Sequence, residues 1–402
     1  MSKSSIKMLA CVLIVSFLSI LAIETIDMPG QNSVRAICTG LGIDYENSAY
    51  SVSAQIVIPE AGGEYAQKQV IVNNSAPSVE KALLNMEFQV GKKIRLGHCG
   101  FIIMNKEFCS QDITKELDYF LRGNNLGNNT LLFFTPDKAQ KVLEKTSNVN
   151  SNEVDNLQIN SKYNRQHLLS NCTNLISFFN DYLSPHKTSY MPSITLSSNE
   201  TSEQSGQGQE QGSQDSSPSS QPSKDSIKND GALAVFVEGK CTKVLTPSEC
   251  ENFQWFDKNI SNSHVRLSNV NTHLIKDGDI SFALAHKCIK FDYQIVKDIP
   301  IISLTLDLGL KPEAINSSSH VPAYTGIVDD VISANVAAVV DTSIQHSLSL
   351  MSQYEMDLFN FYHGFNLNCH NEWKKYLNTL SPTQHYLNNI KIVSNITCTD
   401  EF

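Results

Sequence analysis

His98 and Cys99 stand side by side between two glycines in GKKIRLGHCGFII, residues 91–103, and a thiol beside an imidazole is the composition of a nucleophile with its base. That chemistry needs the two groups within about 2.6–3.2 Å of each other. The stretch around them, IRLGHCGFIIM, reads as a strand, where successive side chains leave opposite faces, so the pair is expected to point apart. Gly97 and Gly100 then mark a bulge or a close backbone approach. His363 and His370, seven residues apart near Asp357, would share a face of one helix and could hold a metal. Gly364, Asn366 and Asn368 argue against a continuous helix there. The carboxylates Asp329 with Asp330, and Asp307 with Glu313, read as surface or capping residues. The sequence contains no G-x-S-x-G, H-E-x-x-H, phosphate-binding loop or G-x-G-x-x-G, and GQGQEQG lies in a run unable to form the strand and helix a phosphate cradle requires. No catalytic residue, metal or cofactor is expected.

The elements that would position these residues can be read from periodicity. VRAICTGLGIDY and AYSVSAQIVIP form a β-branched hairpin around ENS, and KQVIVNN supplies a third strand. A helix follows in SAPSVEKALLNMEFQV, with Ser75 or Ser78 as cap and Val79, Leu83, Met86 and Val90 on one face. ITKELDYFLR reads as a helix and TLLFFT as a strand. TPDKAQKVLEK starts a helix with Thr135 as cap, and RQHLLSNCTNLISFFNDYL continues as another until Pro185. Strands interleaved with helices point to a mixed sheet carrying helices. Further on, ALAVFVEGKCTKVLTPSE is a hairpin turning at Glu238-Gly239-Lys240, followed by a short helix after Pro247. ISFALAHKCIKFDYQI and IPIISLTLDLGL are strands, and NNIKIVSNITC is a last one. A long helix spans about 328–352, with Val331, Ile332, Val336, Val339, Val340, Ile344, Leu348 and Met351 as its buried stripe.

The chain has 402 residues, 41% of them apolar and 18% charged, which suits two or three globular cores. Its formal net charge of −10 and lack of a basic cluster exclude nucleic acid as a partner. Residues 8–23 carry no charge, follow Lys3 and Lys7, and precede Glu24 and Asp27. This is a signal segment with the rest of the chain outside the cytoplasmic membrane. A cleaved leader is one alternative; the absence of small residues at a cleavage position favours an uncleaved anchor. Cys11 has too few apolar residues before it for lipoprotein processing and belongs to the anchor. The ten cysteines include no C-x-x-C pair; they read as free, mostly buried thiols, with Cys241–Cys250 as the only local bridge candidate. Residues 197–230, rich in Ser, Gln and Gly, have almost nothing to bury and read as a disordered linker.

Taken in order, four stretches resemble the Ger(x)C family of spore germination proteins, the C subunits of nutrient germinant receptors. VRAICTGLGIDYENSAYSVSAQIVIP is similar to the family's opening Leu-Gly-Ile-Asp-Tyr and paired strand. GKKIRLGHCGFIIMNKEFCSQDITKELDYFLR resembles its His before a strand and its helix ending in Asp-x-Phe-x-Arg, placed at His98, Asp118, Phe120 and Arg122. GALAVFVEGKCTKVLTPSECENFQWF resembles its Ala-Val-Phe hairpin, with Phe236, and its Leu-Thr-x-x-Glu, with Glu249. SQYEMDLFNFYHGFNLNCHNEWKKYL resembles its Gln-x-x-x-Asp run and Trp-Lys pair, at Gln353, Asp357, Trp373 and Lys374. The resemblance implies an α+β, three-domain ectodomain of mixed β-sheets flanked by helices, behind an N-terminal hydrophobic anchor helix.

The divisions would be a signal segment or anchor at 1–27, an N-terminal α+β domain at 33–196, the linker at 197–230, a small β-rich middle domain at 231–275 and a C-terminal α+β domain at 276–402. It further implies a place at the outer face of the spore's inner membrane, beside two integral-membrane subunits, A and B, and it brings no catalytic residues. Family members usually carry a lipoprotein cysteine after the hydrophobic segment, which this chain lacks, so the helix must anchor it. A free-standing extracytoplasmic ligand-binding protein is the alternative reading.

Overall fold

The computed structural model describes residues 35–59, 67–122, 126–127, 129–147, 173–197, 226–228, 231–258, 260, 263–317 and 326–401. The expected anchor at 8–23 lies outside them, and no helix among the described residues is long and apolar enough to cross a membrane. The structure is α+β, with mixed and antiparallel sheets covered by helices.

Strands β1 (Arg35–Glu46) and β2 (Ala49–Pro59) form the expected hairpin, and β3 (Gln67–Ala76) adds to it antiparallel. Asn47 and Ser48 both take positive φ, 50° and 62°, which gives the turn the twist a two-residue hairpin needs. Helix α1 (Val79–Val90) is capped by Ser78, buries Val79, Ala82, Leu83 and Met86, and stops at Gly91 in the left-handed region.

The stretch expected as one strand is broken. Strand β4 (Lys93–Arg95) pairs in parallel with residues 35–37 of β1, and β5 (Phe101–Asn105) pairs with residues 40–43. Between those blocks β1 advances from 37 to 40 while its partner advances from 95 to 101, so three residues loop out of a shared lane. Gly97 and His98 form the turn, and Gly100 keeps the lane intact by donating its N–H to Thr39 O at 2.9 Å. Strand β6 (Leu131–Thr135) completes the sheet in the order β3-β2-β1-β5-β6.

Helices α2 (Lys106–Cys109), α3 (Thr114–Leu121) and α4 (Ala139–Ser147) accompany this sheet. Thr135, expected to cap the helix after TLLFFT, instead ends β6. The cap comes from Asp44 on β1, whose two carboxyl oxygens accept from Ala139 N (2.7 Å) and Gln140 N (3.0 Å). The next helix is described only as α5 (Leu175–Leu183), capped by Asn174; residues 165–172, where its start was expected, lie outside the described chain.

Strands β7 (Thr188–Pro192), β8 (Thr195–Ser197) and β9 (Ser226–Lys228) follow. β8 and β9 pair antiparallel, and residues 198–225, the bulk of the expected linker, lie outside the described residues. The hairpin of β10 (Leu233–Val237) and β11 (Lys240–Leu245) turns at Glu238 and Gly239, and β10 pairs on its other side with β7. This three-stranded sheet is therefore built across the linker. Along β10, Leu233 and Val235 enter the core of the C-terminal part, while Ala234 and Phe236 enter that of the N-terminal part. One strand is a common wall of two interiors.

Helix α6 (Pro247–Asn252) leads through Phe253–Phe256 to β12 (His264–Val270), which pairs with β13 (Gly278–Val296) and so joins the C-terminal sheet. β13 and β14 (Ile299–Asn316) form a long hairpin around Lys297 and Asp298, both at positive φ. Helix α7 (Asp330–Gln353) is capped by Asp329 and buries Ile332, Val336, Val340, Ile344, Leu348 and Met351. Val331 and Val339, expected in that stripe, are 47% and 41% exposed, because they sit one step before it at each turn. Helices α8 (Phe361–Asn368) and α9 (His370–Thr379) are separate, breaking at Cys369 between the two histidines. Strand β15 (Lys391–Asp400) closes the sheet beside β14 in parallel. Gly364 lies close against Tyr293: a Cβ there would come 2.2 Å from its ring, so the ring would have to shift. Among the described residues no disulfide joins the cysteines, Cys241 and Cys250 included.

Candidate functional site

Most of the motif positions lie apart from one another. His98 is exposed in its turn, while Cys99 is 4% exposed and directs its Sγ toward Phe101 O at 3.3 Å. The two point apart, as expected, but the cause is the looped-out turn and not strand alternation. A hydrogen bond with the Cys99 thiol, and then burial, raise the pKa of Cys38, which suits packing and not nucleophilicity. Asp118 and Arg122 pair one turn apart on the surface of α3. Glu249 closes a capping box with Thr246 and pairs with Lys243 at 2.9 Å. Phe236 packs edge-on to Phe178 at 5.5 Å, and Gln353 is exposed at the end of α7.

Asp357 and Trp373 do come together, with partners the motifs did not mark. Asp357 is wholly buried, and its carboxyl oxygens accept from Phe361 N (2.8 Å), Tyr362 N (2.9 Å) and the Tyr386 hydroxyl (2.8 Å). It fixes the first turn of α8 and ties it to the Tyr386 segment. Its own N–H donates to Thr188 Oγ1 at 3.0 Å, and that hydroxyl donates to His186 O at 2.9 Å. Thr188 begins β7, so this chain of bonds joins the two halves beside their shared strand. Tyr386 also packs edge-on to Trp373, at 5.7 Å between ring centroids. Burial, reinforced by Asp357, pushes the Tyr386 hydroxyl far above its usual range, so it stays a donor.

A serine, a histidine and a carboxyl group meet near this joint, which prompts the question of a hydrolytic triad. Ser184 Oγ lies 2.5 Å from His186 Nδ1 and donates to Asp181 O at 2.5 Å. The hydroxyl proton thus goes to a backbone carbonyl, and the histidine is assigned as donor to the serine. Asp357 lies near enough to favour the charged histidine, yet its bonds go to Phe361, Tyr362 and Tyr386. The geometry makes a brace and not a base-activated nucleophile. Burial lowers the pKa of His186 and raises that of Asp181 to about 6.

These shifts have opposite signs in stability. Between about pH 4 and 6 the folded protein holds more protons on Asp181 than the unfolded chain does, so this group's contribution falls as pH rises through its folded value. His186, with its folded value depressed, contributes stability that is lost as pH falls below about 6.5. Asp181→Asn is expected to raise the urea midpoint at pH 8 and leave it unchanged at pH 3.5, the gain staying within about 1 kcal/mol because solvent screens the group. Urea titrations at both pH values check this.

A shallow groove of about 490 Å³ runs between α7 and β15. Its polar groups bond to one another, Ser394 Oγ to Asp341 at 2.5 Å and Gln345 Nε2 to Ile392 O at 3.1 Å. Among the described residues no three His, Cys, Asp or Glu side chains could hold a metal ion.

Asp44, Thr188, His186 and Tyr386 were missed in sequence. Asp44 had a signal: a carboxylate in the apolar run LGID of a strand must find donors. Thr188 and Tyr386 had none, because Asp357, which they bond, is remote in the chain.

Comparison with known proteins gives a consistent result. One family model, described as the spore germination protein N-terminal domain, matches residues 33–196. A second, described as spore germination B3/GerAC like, C-terminal, matches residues 231–397. A solved structure entitled "Crystal Structure of the GerBC protein" is similar at a TM-score of 0.52 and 12% identity, over 90% of this chain and 96% of that one. At that identity the likeness concerns the fold. No curated protein matches the sequence.

Proposed function

This chain belongs to the Ger(x)C family of spore germination proteins, and we propose that it is the membrane-anchored C-type subunit of a nutrient germinant receptor. In this reading the apolar segment 8–23 holds it at the outer face of the cytoplasmic membrane that becomes the spore's inner membrane. There it works by contact with two integral-membrane subunits, A and B, and not by turnover. The observation that carries the reading is the ordered match of both family models across the two sides of the linker. The bracing roles of Ser184, His186 and Asp357 support binding over catalysis. So does a shared strand that makes one docking body of the two halves.

The test is removal of the coding sequence in the spore-former that carries it. Loss of the germination response to one class of nutrient is expected, while germination by a receptor-independent trigger persists. Affinity capture of the full chain from spore membranes should recover A-like and B-like subunits. A normal response to every nutrient, or capture without membrane subunits, would overturn the proposal.

A further inference from the structure

The first sheet has two ends, and the chain enters it at only one. Arg35 starts β1, and residues 24–34, eleven in number, separate it from the apolar run. At roughly 3.3–3.6 Å per extended residue, those eleven hold Arg35 within about 40 Å of that run. Register places the start of β4, with Lys93, and the meeting of β2 and β3, with Lys68, at the same end. Helix α1 arrives there too, since it follows the far end of β3 and hands over to β4 through Gly91 and Lys92.

This end differs in charge from the chain as a whole. The turn before β4 and its first residue carry Lys92 and Lys93, and the neighbouring strand ends bear Arg35 and Lys68 in sequence, in a chain of net charge −10, with Glu60 and Glu64 between β2 and β3 in sequence and Glu87 on α1. Glu87 is engaged, accepting from Ile94 N at 2.9 Å. The outward side of α1 presents Leu84 at 40% and Phe88 at 76% exposure, one turn apart and ending beside the lysines. An exposed aromatic ring next to lysines is the chemistry of an interfacial anchor: the ring enters the headgroup layer and the ammonium groups meet lipid phosphates. Each lysine near an anionic surface strengthens attraction by roughly fivefold, and the acidic remainder of the molecule is repelled.

We propose that the Arg35–Lys93 end of the first sheet, with Leu84 and Phe88 of α1, rests on an anionic lipid surface. The inference depends on the anchored reading above and adds an orientation: β1 stands on the membrane and its Glu46 end points away. Salt weakens the seat, because its electrostatic part is screened within about 10 Å at 0.1 M.

The experiment uses the full chain in vesicles whose acyl tails are brominated. Trp255 and Trp373 are both buried, so the tryptophan introduced by Phe88→Trp reports its own surroundings. Its emission should be quenched in phosphatidylglycerol-containing vesicles. Quenching should be several-fold weaker in purely zwitterionic vesicles, and several-fold weaker when Lys92→Glu and Lys93→Glu are added. Leu367→Trp, at an exposed position on α8, is the comparison and should stay unquenched; circular dichroism confirms that each variant folds. A chain that floats with the vesicles while the Phe88→Trp variant is quenched no more than the Leu367→Trp variant overturns the seat and leaves the anchor standing. A chain that floats with neither vesicle overturns the anchor and the seat together.

Discussion

Replacing Asp357 by Ala is expected to cost about 3–5 kcal/mol, enough to unfold much of the population of a protein whose whole margin is about 5–15 kcal/mol. The change strands three donors in a wholly buried place: two backbone N–H groups of α8 and the Tyr386 hydroxyl. Asp357→Asn keeps one acceptor oxygen but turns an amide toward donors, so about 2 kcal/mol is expected. Tyr386→Phe removes a single bond and should cost about 1 kcal/mol. Urea denaturation followed by circular dichroism measures all three. The ranking is the diagnostic: equal losses for Tyr386→Phe and Asp357→Ala would mean that the helix-start bonds are not what Asp357 supplies. Because Asp357 N–H also bonds Thr188 Oγ1, Thr188→Val should weaken the joint through β7 without touching α8 directly.

Trp373→Ala is the other large effect, about 3–5 kcal/mol from lost burial and the cavity left behind. The indole stacks on Phe365 at 4.7 Å and 13°, and on Tyr376 at 5.3 Å and 26°. Tyr362 and Tyr386 meet it edge-on at 5.6 Å and 5.7 Å. Five aromatic side chains thus hold α8, α9 and the Tyr386 segment in one cluster. The indole Nε1 has no acceptor among the described residues, so Trp373→Phe gives up ring area but no hydrogen bond. A cost of only about 1–2 kcal/mol is expected for it. Thermal melts of the two variants, run with the parent, give the comparison. An alanine variant as stable as the phenylalanine variant would mean that the cluster does not bear on folding.

Local signals were legible where a segment carries its own instructions. The turn at Asn47-Ser48, the Ser78 cap and the stripe of α7 follow from neighbours within a few residues. What depended on distant partners was not legible. Asp44 caps a helix that starts ninety-five residues later in the chain, which displaced Thr135 from that role. The lane of β4 and β5 was readable as extended, but its looped-out turn depends on the register against β1. No strand was read at residues 264–270, where β12 is defined by its pairing with β13. The same limit hid the joint: the Asp-Phe run and the Trp-Lys pair were noticed, while Thr188 and Tyr386 that complete it lie 169 and 29 positions from Asp357.

Strand β10 serves opposite interiors with adjacent residues, Val235 to one and Phe236 to the other. Evolution can therefore exchange side chains along it one at a time, balancing volume within whichever interior is affected. It has no comparable freedom in length. Adding or deleting one residue would send every following side chain to the wrong interior, in both halves at once. Among relatives of this chain, gaps should crowd into the linker and avoid the five residues from Leu233 to Val237.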